Sequence, residues 1–166
     1  MSGPITTRRR ATYEELCEVP DHKVAEILDG ELIVNPRPAL RHASASSSLG
    51  GHIWGPFQGG RGGPGGWWIL DTAFITLAPD WVCEVIPPST ERVDRSRKMP
   101  IYAREGVAHL WLLDPIVRTL EVLRLEAGRW VLIATHTDAD VVRAEPFEAI
   151  AIDLASLWPA PPTVAE

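Results

Sequence analysis

Glu84 is an acid inside the apolar run Trp81-Val82-Cys83-Glu84-Val85-Ile86. A near-continuous run of this kind reads as a central strand covered on both faces. An unpaired carboxylate there carries a heavy desolvation cost, so a cation, a metal or a cleft at the strand end must compensate it. Pro87-Pro88 stops the run, and Ser89-Thr90 offers an N-cap for the helix that follows. That helix carries four bases, Arg92, Arg95, Arg97 and Lys98, and its first turns are placed to fold back over Glu84. A carboxylate that binds Mg²⁺ beside a lysine that orients a water is the minimum for metal-assisted phosphodiester hydrolysis. The same residues also have structural readings. Glu84 can pair with an arginine inside the sheet, and the basic run can be a solvated helix face.

Other polar residues make weaker cases. Asp29-Gly30 serves a turn, and Glu26 and Glu31, which flank it, need no function as strand residues. His42 and His52 are ten apart and lack the i, i+4 spacing of a helical metal pair. The glycine-rich stretch lacks a following Gly-Lys-Ser/Thr, so it does not read as a phosphate cradle.

The elements that position Glu84 and Lys98 are legible in outline. Thr12 and Glu15 have capping-box spacing around a short helix that ends at Pro20-Asp21. Val24–Leu28 and Glu31–Val34 flank Asp29-Gly30, a hairpin signal. The spacing predicts a helix over Arg41–Trp54, on which Leu49 and Ile53 share a stripe. Seven of the twelve residues Gly55–Gly66 are glycine, which predicts a mobile loop with neither helix nor strand. Short strands are expected at Trp67–Leu70 and Phe74–Leu77. A helix is expected over Glu91–Glu105, kinked at Pro100 or starting there. His109–Leu113 reads as a buried strand, Thr119–Leu125 and Trp130–Thr135 as a hairpin around Ala127-Gly128, and Phe147–Ile152 as a last strand before a helical turn. This order of elements describes one α/β domain over residues 1–166, with a basic arm (1–11) and a proline-containing tail (159–166) expected to be flexible.

Composition limits the function classes. At 166 residues, with 45% hydrophobic residues and seven Trp, the chain can build a real core. A formal charge of −6 argues against a protein that coats DNA through phosphates alone, but not against an enzyme whose carboxylates bind Mg²⁺. Two distant cysteines, Cys17 and Cys83, fit neither a disulfide scaffold nor a zinc ribbon. With no signal-peptide pattern and no membrane-length apolar run, the expectation is a reduced, cytoplasmic protein without a membrane partner.

Read in order, several stretches resemble the Uma-two family of restriction endonuclease-like proteins in the PD-(D/E)XK nuclease superfamily. They are Thr12-Tyr13-Glu14-Glu15-Leu16, Ala25-Glu26-Ile27-Leu28-Asp29-Gly30-Glu31-Leu32, Arg41-His42 and Ala78-Pro79-Asp80-Trp81-Val82-Cys83-Glu84-Val85. Asp94-Arg95-Ser96-Arg97-Lys98, Tyr102-Ala103-Arg104-Glu105-Gly106-Val107 and Leu110-Trp111-Leu112-Leu113-Asp114-Pro115 follow, and then Leu120-Glu121-Val122-Leu123-Arg124-Leu125. The resemblance implies a mixed sheet flanked by helices, with hairpins towards both ends of the chain. It matches Glu84 to the acid of the family's central strand and Lys98 to a lysine moved onto the next helix. Glu26 and His42 match further polar positions near the site.

Two departures stand out. The strand that carries a Pro-Asp metal ligand in relatives is missing between the Trp-rich stretch and the Glu84 run, which leaves Asp71 or Asp80 to stand in. Pro87 also replaces the serine usual before Pro-Ser-Thr, which removes a backbone donor. The resulting expectation is a Mg²⁺-dependent (or Mn²⁺-dependent) DNA endonuclease. Glu84, Asp80 and Asp71 would serve the metal, Lys98 the attacking water, and Arg95 and Arg97 the phosphates. The alternative is a catalytically inactive relative that kept the fold as a binding or assembly module. A sheet edge exposed by the missing strand would favour a homodimer.

Overall fold

The computed structural model of the chain describes residues 9–37, 39–70, 77–86 and 90–158. Two compact units divide between Arg37 and Pro38.

In the N-terminal unit, helix α1 (Tyr13–Cys17) starts on the expected capping box: Glu15 N–H donates to Thr12 Oγ1 and Thr12 N–H donates to Glu15 Oε2. Strands β1 (Lys23–Leu28) and β2 (Glu31–Pro36) pair antiparallel with Leu28 opposite Glu31. Asp29 and Gly30 both take positive φ, 51° and 83°, as a two-residue turn of matching twist requires. A side chain at Gly30 would also collide with Arg10.

The C-terminal unit is built on a four-stranded sheet in the order β3-β4-β5-β6. Strand β3 (Trp81–Val85) runs parallel to β4 (His109–Asp114), whereas β5 (Thr119–Glu126) and β6 (Arg129–Thr137) are antiparallel additions, so the sheet is mixed. Between β3 and β4 runs one helical segment: α3 (Glu91–Val93), a π turn (Asp94–Lys98) and α4 (Met99–Glu105). Pro100 has no N–H to continue an α-helical ladder, and the widened turn ends two residues before it, at Lys98. Gly106 ends the helix in the left-handed region at φ 82°.

Alternation along the strands divides the core between two faces. On one face Trp81, Cys83, Val85, Trp111, Leu113, Leu120 and Val122 pack with Ala45, Leu49 and Ile53 of α2 (Leu40–Ile53). On the other, Val82, Leu110, Leu112 and Leu123 pack with Met99, Tyr102 and Trp130. Two short strands, β7 (Val141–Val142) and β8 (Ile152–Asp153), pair beside a closing 3₁₀ turn, Leu154–Leu157.

Several expectations change. Among the described residues β3 pairs with β4 alone, and the strand buried across its middle is β4, where Leu110–Leu113 are at most 1% exposed. The glycine-rich stretch does not begin as a loop. A π turn, Trp54–Gln58, prolongs α2 because Phe57 is buried against Phe147 and Trp67, and that burial outweighs glycine's poor helix propensity. Trp67–Leu70 forms no strand, since Trp67 serves that aromatic cluster. Phe74–Leu77 lies, apart from Leu77, outside the described residues. Of Phe147–Ile152 only Ile152 is in a strand, and Phe147 is a core plug. Among the described residues no helix is long and apolar enough to cross a membrane.

Candidate active site

Glu84 occupies the fourth position of β3 and points, with Val82, to the face covered by α4. Its carboxylate meets two side chains of the helical segment. Tyr102 donates its O–H to Oε1, and Lys98 donates from Nζ to Oε2 at 3.3 Å. Lys98 also lies 3.0 Å from Oδ1 of Asp94, one turn earlier, and Thr90 donates its O–H to the other Asp94 oxygen at 2.8 Å. Asp94 is 2% exposed, while the Glu84 and Lys98 side chains retain 17% and 12%. The chain crosses from strand to helix between Val85 and Thr90, and the return of that helix along the sheet stacks positions 94, 98 and 102 above Glu84.

This cluster holds two carboxylates and one ammonium in a half-buried setting. Burial holds the Glu84 carboxyl above the usual carboxylate range, with Asp94 adding to the effect, against the opposing pull of Lys98 and the Tyr102 hydroxyl. Glu84 is therefore compensated by a lysine and a phenol, not by the arginine that the structural reading invoked. Next to it, burial and then the Glu84 charge push the Cys83 thiol up.

The donor set decides what metal could be held. Among the described residues no group of three His, Cys, Asp or Glu gathers. Glu84 and Asp94 offer oxygen donors alone, and Asp94 is already committed to Lys98 and Thr90. Such a set fits a hard cation that keeps most of its ligands as water and substrate phosphate, with Glu84 as the contributing carboxylate. It does not fit a cage built wholly by protein.

The remaining expected site residues lie elsewhere. Asp80 is exposed, immediately before β3, and its carbonyl accepts from the His109 N–H. Four residues of extended chain separate it from Glu84, about 13 Å at the ordinary strand rise. Asp71 lies outside the described residues. His42 is buried on the α2 stripe with Ala45, Leu49 and Ile53, which faces the opposite side of the sheet from Glu84. Both its ring nitrogens lack a hydrogen-bond partner among the described residues. Glu26 is half-buried on β1, opposite Ile33, in the N-terminal unit. Arg95 is paired with Glu91 at 3.2 Å and with Glu121 at 2.9 Å, and Arg97 is half-buried on the same π turn. Three members of the cluster were not singled out from the sequence: Asp94, Thr90 and Tyr102. The signal was present in the spacing, since 94, 98 and 102 recur every four residues on one helix.

The C-terminal unit is thus a mixed α/β sheet with an acid on one strand and a lysine on the following helical segment. The family model described as "Putative restriction endonuclease" (Uma2) matches residues 57–155, more than half of the chain. The chain belongs to the Uma2 family. Glu84, Asp94, Lys98 and Tyr102 fall inside the matched span, and Glu26 and His42 fall before it. Among solved structures, the chain is similar to "a putative nuclease belonging to DUF820" from Anabaena variabilis, at a TM-score of 0.55 and 16% identity. That match covers 89% of this chain and 97% of the other, and at this identity it speaks for the fold. No curated protein matches the chain.

Proposed function

We propose that the chain is a Mg²⁺-dependent endonuclease that hydrolyses DNA phosphodiester bonds, with Glu84 and Lys98 as the reacting pair. The observation that carries this reading is the approach of the Lys98 ammonium to Glu84 Oε2, 3.3 Å across the strand-to-helix crossover. Family membership supports it. Glu84 is the carboxylate that would hold the metal, with DNA phosphate and water completing the shell. When bound, the metal polarises the phosphodiester and lowers the pKa of a coordinated water. Lys98 orients the attacking water and stabilises charge developing on the phosphate. Arg92, exposed on the same helical segment beside Arg95, is better placed than the doubly paired Arg95 to contact a phosphate. Mn²⁺, which accepts the same oxygen donors, would substitute for Mg²⁺.

The test is nicking of supercoiled DNA by the purified full chain with Mg²⁺ and with a chelator. Nicking should require the metal and should fall by about a hundredfold or more in both Glu84→Ala and Lys98→Ala, as expected for loss of groups that act on the reacting atoms. Metal-dependent nicking that survives in both variants would remove this pair from the mechanism.

One observation favours a second reading, an inactive relative that kept the fold as a binding module. Each carboxylate oxygen of Glu84 and Asp94 already has a protein partner, three a hydrogen-bond donor and Asp94 Oδ1 the Lys98 ammonium. On this reading calorimetry detects no Mg²⁺ binding that Glu84→Ala abolishes, and the wild-type chain leaves supercoiled DNA uncut.

A further inference from the structure

We propose that Asp94 is a positioning residue for Lys98: with Thr90 behind it, its buried carboxylate aims the Lys98 ammonium at Glu84. The inference rests on the reading of Glu84 and Lys98 as the reacting pair and adds what holds that pair in register.

Lysine is a poor positioner of its own charge, because its ammonium ends a flexible four-carbon stem. A single half-exposed ion pair fixes such a stem weakly. Here two carboxylates on different elements hold the same nitrogen, Asp94 Oδ1 at 3.0 Å from the helix and Glu84 Oε2 at 3.3 Å from the strand. Asp94 is itself fixed. It is the most buried carboxylate among the described residues, and its second oxygen takes the Thr90 hydroxyl at 2.8 Å. Tyr102 holds the other oxygen of Glu84, so the acid cannot swing away to meet the lysine elsewhere. The π turn contributes by carrying Asp94 at its first residue and Lys98 at its last, with Met99 N–H closing it onto the Asp94 carbonyl. A buried ion pair kept for stability alone is often replaceable at little cost. One that sets the direction of a reacting ammonium is not.

The sequence supplies a clean probe, because the chain has two lysines, Lys23 and Lys98. In the full chain labelled with ¹⁵N-lysine, the side-chain ammonium of Lys98 should give a proton–nitrogen cross-peak at low temperature near neutral pH. Its ion pairs with two carboxylates, the one to Glu84 also a hydrogen bond, slow exchange with water, whereas Lys23 is exposed and should give none. Asp94→Asn should speed exchange about tenfold or more and erase the peak, because it removes one of the two charges that hold the ammonium. Asp94→Glu should restore part of the signal. Thr90→Val, which leaves Asp94 in place but unanchored, should weaken it, and it carries the test should Asp94→Asn not fold. A wild-type cross-peak that persists unchanged in a folded Asp94→Asn or Thr90→Val protein would overturn the proposal.

Nicking separates the two ideas. If the wild-type chain does not nick DNA, the hydrolytic reading fails while the cross-peak still decides whether Asp94 holds Lys98. If it does nick, Asp94→Asn should lose rate with little change in the DNA concentration needed for half-maximal rate. Wild-type nicking by Asp94→Asn would count against the proposal whatever the spectrum shows.

Discussion

The reactivity of individual side chains here follows from which face of β3 they occupy. Cys83 and Glu84 are adjacent, yet one joins the aromatic face and the other the face beneath α4. Burial and then the neighbouring carboxylate push the Cys83 thiol up, which leaves little thiolate at ordinary pH. Cys17, the other free cysteine, is exposed. A disulfide reagent such as DTNB at pH 8 should therefore react with one thiol per folded chain within minutes and with two after denaturation. Mass spectrometry should place the fast site at Cys17. Rapid modification of Cys83 in the folded protein would show that the β3 environment is more open than the packing implies. The oddity of Glu84 was readable in advance from its letter and its neighbours. Its partners were not, because a carboxylate's surroundings depend on which helix residues return over the strand.

At the scale of elements, the helical segment between β3 and β4 is the device that assembles the cluster, and its two ends are chemically defined. Pro100 accompanies the π turn at one point, and Gly106 stops the helix at the other. Gly106 sits at φ 82° with open space around its missing Cβ, so Gly106→Ala meets no clash, and its cost is purely conformational. That cost should be about 1 kcal/mol, the ordinary penalty for a left-handed alanine. Urea denaturation should show a lower midpoint with an unchanged slope. No loss would mean that the cap relaxes freely and does not constrain where α4 ends. Turns and caps were legible from sequence at this scale because they depend on a few neighbouring residues. The capping box at Thr12 and Glu15 and the Asp29-Gly30 and Ala127-Gly128 turns all have this local character. The glycine-rich stretch departs from its local signal for the complementary reason. Phe57 turns helical where local propensity opposes it, because distant Phe147 and Trp67 bury its ring.

Within the C-terminal unit, Phe147 joins segments remote in sequence. Its ring lies 4.6 to 5.6 Å from those of Phe57, Trp67, Trp81 and Trp111, which come from the end of α2, the following loop, β3 and β4. Phe147 itself is fully buried. Phe147→Ala should cost about 3–5 kcal/mol, the range for emptying a large aromatic site. Near-UV circular dichroism should lose tryptophan signal as the edge-to-face contacts go. A cost below about 1 kcal/mol would show that the four surrounding rings collapse into the space, and that Phe147 fills a gap without organising the core.

The amino-acid sequence by itself determined the mixed α/β class, both hairpins, the capped first helix, the strand bearing Glu84 and the basic helix after it. These rest on hydrophobic period, turn residues and caps, which act within a few positions along the chain. The tertiary structure alone decided that, among the described residues, β4 and not β3 is the strand buried across its middle, that His42 faces away from Glu84, that Asp80 stands at the far end of the strand, and that Asp94 and Tyr102 join Lys98 at the acid. Those outcomes depend on strand order and on which sheet face each helix covers. Both are chosen by packing between segments distant in sequence, where burial outweighs local preference.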